Sequence, residues 1–403
     1  MIKDAFRALR QAERPVLIFG AGVRLAGASQ QARELAGVFG IPVAPTWAAR
    51  DLFPADDGYL CVGGFGTHGT RAANFAVQNA DWILSVGARL DSKATGTPLS
   101  YFARAAHIFM VDVDSAEIGK FKEELGRKFS GAQADAKLFL SDAVKLVRTE
   151  GGRPDFGPWR ARCREWLAKY PACRPEYEAE DHINPYVLAK RLSAHCQPGE
   201  NIVSDTGLSL AWMMQTFEFK EGQQFIHAFN QTPMGYGLPA AIGAAFARSG
   251  RRVVLVTGDG GFMLNIQELP LLVRHKLPIK IVLINNGGHA MCRQTQEQWL
   301  GGKYYSTSVE GGLAFPNFQA VAEAHGLRWI GLDFNRHAAG ALAELLEKDD
   351  PALLEVAVDG AHRLIPLVQH GKPNEDGNPP LSRAELREQM IVGTVDGGID
   401  GHL

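Results

Sequence analysis

The segment Gly258-Asp259-Gly260 is the feature that most constrains the fold of this chain. It closes an apolar run at 253–256 and precedes a helix-like stretch, after which a second apolar run, LPIKIVLINN, ends at Asn286. This pattern predicts two neighbouring parallel strands joined by a helix, with Asp259 and Asn286 side by side at one sheet edge. A carboxylate and an amide oxygen suit Mg²⁺, and glycines let a diphosphate approach the backbone. The sequence therefore predicts a magnesium and diphosphate site.

This segment resembles the thiamine diphosphate enzymes that act on 2-oxo acids, and most closely the large subunit of acetolactate synthase. The family motif is GDG followed at a set distance by NN. Here it takes the form GDGGFMLNIQELPLLVRHKLPIKIVLINN, whose interior NIQEL and LPIKI also match. An isolated GDG would be only a tight turn between a strand and a helix. Asn286, at the matching spacing and after a strand, favours the cofactor site.

Other loops of the same domain are expected at this site, because ligands of open α/β sheets bind at the carboxyl ends of the strands. By the resemblance, Thr206 and Gly207 follow the first strand and contact the diphosphate. Met234 and Gly235 lie in QTPMGYG, which resembles the GxMGFG loop whose methionine holds the cofactor bent between its two rings. We therefore predict a catalytic role for Met234, although methionine before glycines is more commonly core filler.

The resemblance also implies the ligands of the metal. Octahedral Mg²⁺ would take the Asp259 carboxylate, the side-chain oxygen of Asn286 and the backbone carbonyl of Gly288, together with diphosphate oxygens and water. The glycines beside Asp259 are predicted to border the cofactor, and they are Gly258, Gly260 and Gly261.

Departures from acetolactate synthase bear on the substrate. Leu208-Ser209 stands where the family often has Gln-His, so the proton-transfer role of that histidine is absent. NNGGHAMCRQTQ corresponds to the family's NNxxxGMVxQWQ, with Ala290 in place of glycine and Thr295 in place of the tryptophan that shapes the acceptor pocket. We predict a catalytic role for His289 and substrate contact for His289 and Arg293. The alternative for either side chain is simple solvation in a loop.

Composition excludes several classes of protein. The 403 residues carry a net charge of -2 and are 46% hydrophobic, so the chain can bury real cores and has no basic block for nucleic acid or an anionic membrane. Its five cysteines include no CxxC pair, which favours reduced thiols. The N-terminal segment lacks the apolar core of a secretion signal, and no apolar stretch approaches the length of a membrane span. We expect a cytoplasmic protein that binds neither nucleic acid nor membrane.

Strand-like and helix-like stretches alternate in two separate regions, which predicts an α/β fold with two doubly wound parallel-sheet domains. We expect a middle domain at 1–150, a linker with one helix at 151–183, the domain that binds thiamine diphosphate and Mg²⁺ at 184–360, and a C-terminal tail at 361–403. A short helix is expected in the middle of the tail and mobility at its end.

The first domain resembles the middle domain of the family in GVRLAGA, in the stretch from GTHG to GARLD and in VDVDSAEI. That domain can hold FAD in a structural role, and the matching positions here are Gly22, His68, Gly69, Arg89 and Asp112. Leu25 occupies the third glycine position of a dinucleotide turn, which disfavours an NAD-dependent dehydrogenase. An FAD site and a purely structural domain are both compatible with the sequence.

The resemblance implies decarboxylation of a 2-oxo acid, with pyruvate as the expected donor, and carboligation of its acyl group to a second carbonyl. Alternatives are a simple 2-oxo acid decarboxylase, a carboligase of specialised metabolism, or a non-catalytic cofactor-binding or regulatory subunit.

In the family, the glutamate that activates the cofactor lies in a pyrimidine-binding domain ahead of the middle domain, where this sequence has little before its middle domain. Glu268 cannot replace that glutamate, because it lies in the diphosphate-binding half. We therefore expect a separate small subunit to supply the pyrimidine-binding domain. The expected assembly is a heterotetramer of two large and two small chains around a homodimer core.

Overall fold

The computed structural model describes residues 2–55, 58–149, 155–248 and 250–395. The chain forms two compact units, one of Met1–Pro171 with Ile365–Leu403 and one of Ala172–Leu364. Each unit contains a parallel sheet flanked by helices, which confirms the predicted pair of α/β domains. No helix within the described residues is both long and apolar enough to cross a membrane.

The first unit has four parallel strands in the order in which they occur along the chain: β1 (Pro15–Phe19), β2 (Trp82–Val86), β3 (His107–Asp112) and β4 (Phe129–Gln133). Parallel bridges from Leu17 to Val43 and from Val43 to Cys61 extend the sheet beyond β1 on its other side. The direction of strand addition therefore reverses at β1, as in a doubly wound sheet. Its helices before residue 171 are α1 (Ile2–Leu9), α2 (Ala21–Leu25), α3 (Ser29–Phe39), α4 (Arg71–Gln78), α5 (Ser92–Thr95), α6 (Ser115–Leu125), α7 (Ala136–Thr149) and α8 (Gly157–Lys169).

The second unit has six parallel strands: β5 (Asn201–Ser204), β6 (Gln224–Ile226), β7 (Val253–Gly258), β8 (Ile279–Asn285), β9 (Arg328–Leu332) and β10 (Ala352–Ala357). Their order in the sheet is β6-β5-β7-β8-β10-β9. The direction of strand addition reverses at β5, so a crevice is expected between the loops that follow β5 and β7. Its helices are α9 (Pro185–His195), α10 (Leu208–Thr216), α11 (Gly237–Ala247), α12 (Asp259–Met263), α13 (Leu269–Arg274), α14 (Ala290–Leu300), α15 (Phe318–Ala324) and α16 (Ala338–Glu347).

The central strands of the second unit are apolar on both faces because helices cover the sheet on both sides. Val253, Leu255, Ile279 and Ile281 are fully buried in one apolar cluster. This rigid sheet fixes the points at which the loops after β5, β7 and β8 begin.

The helix that the sequence predicts after Gly260 is divided in the structure. α12 ends at Met263, a 3-10 turn covers Ile266–Glu268, and α13 begins at Leu269. Pro270 lies in the first turn of α13, where its missing N–H costs nothing. The Asn265 side chain lies in the interruption and donates to the carbonyl of Gly235 at 2.7 Å, so the break serves a contact between loops.

The predicted linker and tail do not form separate parts of the fold. Within the predicted linker, α8 belongs to the first unit, while residues 151–154 lie outside the described residues. The tail also returns to the first unit, where the buried Glu375 forms an ion pair with Arg104 at 2.6 Å. The predicted short helix is α17 (Arg383–Gln389), and the end of the tail, 396–403, lies outside the described residues.

The positions matched to an FAD site lie in loops around the carboxyl edge of the first sheet. Gly22 follows β1, Arg89 follows β2 and forms an ion pair with Asp91, and Asp112 ends β3. A Cβ atom on Gly22 would lie 2.8 Å from the Cα of Gly87, so close packing of two loops already requires a glycine there. The glycine is thus no evidence for a nucleotide.

His68, another of these positions, should make the first unit sensitive to acid. Its ring packs edge-on against Trp47, and burial together with the Lys93 ammonium lowers the pKa of His68 from 6.5 to about 4. A lowered pKa means that the folded state favours neutral histidine, so stability is present above pH 6.5 and declines as the pH falls to about 4. The loss should be at most about 3 kcal/mol.

This pH dependence can be checked by urea unfolding across the same pH range. His68→Gln should flatten the decline, whereas His337→Gln, at an exposed position of the second unit, should leave it unchanged. Equal pH dependence in wild type and His68→Gln would contradict the assignment.

Candidate cofactor site

A cavity of about 270 Å³ opens at the carboxyl edge of β5, β7 and β8. Of the residues predicted to contact cofactor, metal or substrate, all line it except Gly235 and Arg293, and those that do are Thr206, Gly207, Met234, Gly258, Asp259, Gly260, Gly261, Asn286, Gly288 and His289. The rest of the wall comes from residues that the sequence analysis did not assign to a cofactor, namely Leu208, Ser209, Trp212, Thr232, Ile284, Ala290, Met291 and Cys292. The reversal of strand addition at β5 therefore coincides with the cavity, as expected for an open α/β sheet.

Asp259 lies at the N-terminus of α12 and is 2% exposed. Its Oδ1 accepts from the N–H of Gly260 at 2.6 Å, and its Oδ2 accepts from the N–H groups of Asn286 and Gly288 at 3.0 and 3.1 Å. Burial raises the pKa of the Asp259 carboxyl, and these three amide donors oppose the rise. The carboxylate thus joins the loops after β7 and β8, as the sequence predicted for two adjacent parallel strands.

Asn286 supplies the observation that points to a ligand. Its side-chain Oδ1 is buried and has no hydrogen-bond partner within the described residues. A buried acceptor without a partner is costly, so such an atom calls for a bound group. The carbonyl of Gly288 accepts from the N–H of Ala290 at 3.1 Å, which leaves its second lone pair available.

These oxygen atoms fit a hard divalent cation. Within the described residues, no group of three or more His, Cys, Asp or Glu is placed to hold a metal ion. The oxygen atoms at this site come from one carboxylate, one side-chain amide and one backbone carbonyl, so they do not form such a group. Mg²⁺ needs only a few protein ligands here, because it takes the remaining ones from phosphate and water.

The glycines around Asp259 serve different purposes. A Cβ on Gly258 would meet no atom within 4 Å, so this residue leaves open space beside the cavity. A Cβ on Gly260 would lie 2.3 Å from His289 Cε1, and one on Gly261 would lie 2.6 Å from Asp205 Oδ2. Gly258 is therefore the glycine whose missing side chain provides room for a ligand, whereas Gly260 and Gly261 accommodate protein atoms.

Met234 is 39% exposed and lies beside the glycine turn, since its Cε would be 3.2 Å from a Cβ on Gly260. The next residue, Gly235, has a φ of 83° and is buried behind the cavity wall rather than in it. Its N–H donates to Asp205 Oδ2 at 3.2 Å. Gly235 thus shapes the loop that presents Met234.

His289 and Arg293 occupy different environments. The His289 ring lies against Gly260 and lines the cavity. Arg293 is 9% exposed, does not line the cavity, and donates to the backbone carbonyl of Asn286 at 3.1 Å. The structure therefore places His289 where it can meet a ligand, and Arg293 behind the loop that follows β8.

The positions that depart from acetolactate synthase also differ in placement. Leu208 and Ser209 line the cavity, and the Ser209 hydroxyl donates to the carbonyl of Thr206 at 3.0 Å. Thr295 does not line the cavity, and its hydroxyl donates to the carbonyl of Met291 one helical turn earlier. Replacing a large aromatic residue by Thr295 therefore removes bulk from α14 without adding a group to the cavity wall.

Two residues at or behind the cavity wall, Asp205 and Trp212, were not predicted as site residues from the sequence. Trp212 is 1% exposed, forms part of the cavity wall and donates from Nε1 to the carbonyl of Arg363 at 3.4 Å. Asp205 contacts several loops but does not line the cavity. A carboxylate directly after an apolar strand, two residues before a glycine, was the available signal for Asp205.

Family comparisons agree with this geometry. Residues 205–356 match the thiamine pyrophosphate enzyme C-terminal TPP binding domain, and residues 2–142 match the thiamine pyrophosphate enzyme central domain. The chain belongs to the thiamine pyrophosphate enzyme family, and the match supports thiamine diphosphate as its cofactor.

Its relatives include large subunits of acetolactate synthase. The chain is 32% identical over 378 residues to that of Pyropia yezoensis, covering 92% of this chain and 61% of the relative. Identity is 31% to the subunit of Lactococcus lactis subsp. lactis, covering 93% and 63%, and 31% to isozyme 1 of Escherichia coli, covering 93% and 64%. The chain thus spans less than two thirds of the length of these relatives.

Proposed function

We propose that this protein is a thiamine diphosphate- and Mg²⁺-dependent enzyme that decarboxylates a 2-oxo acid, with pyruvate as donor, and joins the acyl group to a second carbonyl. The buried and unpartnered Oδ1 of Asn286, beside the Asp259 carboxylate, is the observation that carries the proposal. Both atoms lie at the cavity where the family domain would hold its diphosphate.

In this proposal Asp259, Asn286 Oδ1 and the Gly288 carbonyl bind the metal. Gly258, Thr206 and Gly207 border the diphosphate, and Met234 supports the bent cofactor from below. When bound, thiamine diphosphate supplies the electron sink that accepts the electron pair released as CO₂ departs.

The walls of the cavity suit this chemistry. Leu208, Trp212, Ile284 and Met291 present apolar surface that excludes water, which strengthens electrostatic interactions inside the site. His289 provides ring nitrogens at the cavity, and no hydrogen bond from its ring occurs within the described residues. We propose that His289 contacts the substrate.

The proposal is tested by calorimetric titration of thiamine diphosphate, with and without Mg²⁺, into the protein alone and mixed with the pyrimidine-domain partner proposed below, followed by CO₂ release from pyruvate. Saturable binding that requires Mg²⁺ is expected. Absence of binding under all conditions would contradict the cofactor assignment.

The acceptor is a separate part of the proposal. Thr295 replaces the tryptophan that shapes the acceptor pocket of acetolactate synthases, and together with His289 at the cavity it favours a carboligase of specialised metabolism as the second candidate. Product analysis with pyruvate and a series of oxo acids and aldehydes separates the candidates. Free acetaldehyde alone would indicate a simple decarboxylase.

We also propose a protein partner that supplies a pyrimidine-binding domain with the activating glutamate, in a heterotetramer of two large and two small chains around a homodimer core. Support comes from α11, GLPAAIGAAFA, which has no polar residue yet leaves Phe246 52% exposed. Leu264, which lies against Gly235 in the loop before α11, is 54% exposed, and Met234 lies at the cavity. A helix that is apolar all round is normally buried, so this surface fits a partner.

Phe246→Glu should weaken that association by at least about ten-fold, because it places a charge in an apolar interface. The measurement is sedimentation velocity of the chain alone and mixed with a purified pyrimidine-domain protein encoded beside it. Leu138→Glu, at a position of α7 that is 69% exposed, is the matched control and should associate like wild type. Equal association of both variants would argue against α11 as the interface.

For the first unit we propose a structural role, because packing against Gly87 explains the glycine at position 22 without a nucleotide. The absorption spectrum of the purified protein tests this assignment. A stoichiometric flavin spectrum would replace it with FAD binding at Gly22, His68, Gly69, Arg89 and Asp112.

The five free cysteines suit a reducing cytoplasm, where we place the enzyme.

A further inference from the structure

Asp205 directly follows β5, at the point where strand addition reverses, and is 1% exposed. Its Oδ1 accepts from the N–H of Thr206 at 2.7 Å, in the loop after β5. Its Oδ2 accepts from the N–H of Gly235 and from the hydroxyl of Thr257, each at 3.2 Å. One buried side chain therefore contacts three segments: the loop that contains Thr206, the loop that contains Met234, and the end of β7 that leads into the Gly258–Gly261 turn.

Burial raises the pKa of the Asp205 carboxyl, and the hydrogen bonds that it accepts from the surrounding segments oppose the rise. No lysine or arginine within the described residues forms an ion pair with it. Each group bonded to the carboxylate is a donor, so both oxygens are needed as acceptors. An asparagine has one acceptor oxygen and would direct an N–H₂ group toward at least one of these donors.

The two neighbouring backbones also approach Asp205 closely. A Cβ on Gly237 would lie 3.0 Å from the Asp205 Cβ, and a Cβ on Gly261 would lie 2.6 Å from its Oδ2. Glycines at both places allow residues 231–237, the Met234 loop, and the Gly258–Gly261 turn to contact the same carboxylate from two sides.

We infer that Asp205 is a positioning residue that fixes the Met234 loop relative to the Gly258–Gly261 turn. The inference rests on the proposed function for its catalytic meaning, because Met234 and the turn are the parts assigned to the two ends of the cofactor. The claim that Asp205 fixes the relative position of the loop and the turn does not depend on that function.

Other contacts also hold the Met234 loop, and among them the N–H of Thr232 donates to the carbonyl of Ala228 at 2.7 Å. Thr232 has a φ of 50°, which is unfavourable for a β-branched residue, and Gly235 is otherwise held through its carbonyl by Asn265. Loss of the acceptor for the Gly235 N–H should let Thr232 relax and let Met234 move away from Gly260.

The test compares wild type, Asp205→Asn and Asn335→Ala by hydrogen exchange without cofactor. Asn335 is a matched control because it is 2% exposed and lies in the same unit. Its side chain forms hydrogen bonds with backbone atoms of Asn184, Tyr177 and Glu180. Asp205→Asn should speed exchange at 231–237 by about ten-fold, the factor expected when one hydrogen bond is lost. Asn335→Ala should leave that segment unchanged.

Two further readouts separate positioning from general stability. The methyl NMR signal of Met234 should shift in Asp205→Asn, since the methyl lies near the His289 ring, and should not shift in Asn335→Ala. The dissociation constant of thiamine diphosphate with Mg²⁺ should rise at least about ten-fold in Asp205→Asn only.

Each outcome decides a specific claim. Wild-type exchange and an unshifted Met234 signal in Asp205→Asn would overturn the inference, whatever the cofactor affinity. If wild type binds thiamine diphosphate neither alone nor with the pyrimidine-domain partner, the proposed function fails, and exchange and NMR still decide the role of Asp205. If Asp205→Asn does not fold, exchange of the Gly235 amide is measured in wild type, where exchange as fast as in an unfolded chain would overturn the inference and strong protection would support it.

Discussion

Asp259→Ala should abolish Mg²⁺-dependent binding of thiamine diphosphate, with a loss of affinity of more than about a hundred-fold. Asp259 is the one carboxylate among the described residues that line the cavity, so the substitution removes the charged ligand of the metal. It also removes the acceptor for the N–H groups of Asn286 and Gly288, which hold the other two proposed ligands in place. Charge and geometry are therefore lost together.

The measurement is titration of thiamine diphosphate at several Mg²⁺ concentrations. Asp259→Asn keeps the shape of the side chain but not its charge, and it should lose most of the same affinity if metal binding dominates. Asp333→Ala removes an exposed carboxylate of the same unit and should bind like wild type. Unchanged affinity in Asp259→Ala would place the metal elsewhere or remove it from the proposal.

The fold and the convergence of the site were largely predictable from the sequence. Apolar runs that end in GDG and NN behave as buried parallel strands, and parallel strands bring their carboxyl ends to one edge. Asp259 and Asn286 had to meet once β7 and β8 were adjacent. Thr206 and Met234 were predicted from the family resemblance rather than from this rule, and both line the cavity.

Features that depend on contacts between distant segments were not predictable. The hydrogen bonds of Asp205 to Gly235 and Thr257 join residues separated by 30 and 52 positions. The division of the helix after Gly260 depends on Asn265, whose partner lies 30 residues earlier. No local pattern records either contact.

Two strands of the second unit are hard to predict from the sequence for a different reason. β9 and β10, RWIGL and ALLEVA, are short and lie next to segments rich in alanine, leucine and glutamate, which favour helix. Their place in the sheet beside β8 decides their conformation. Burial of Arg293 in α14 likewise depends on tertiary packing, since arginine is mostly exposed in folded proteins.

Gly258→Ala should separate cofactor binding from folding more cleanly than any charged substitution. Gly258 has φ and ψ of -90° and 162°, which any residue adopts, and its new Cβ would meet no protein atom within 4 Å. The free energy of unfolding should therefore stay the same or rise by up to about 1 kcal/mol, since alanine restricts the unfolded chain. The methyl group would nevertheless enter the space proposed for the diphosphate, and affinity for thiamine diphosphate should fall at least about ten-fold.

Gly340→Ala is the matched control for this experiment. Gly340 lies in α16, and its new Cβ would also meet nothing within 4 Å. Stability should rise by up to about 1 kcal/mol, because alanine is the better helix former, and cofactor affinity should not change. Urea unfolding and calorimetric titration measure both quantities on both variants. Full affinity in Gly258→Ala would mean that the diphosphate does not approach this turn, whereas reduced affinity with unreduced stability can arise only from a ligand that occupies the space beside Gly258.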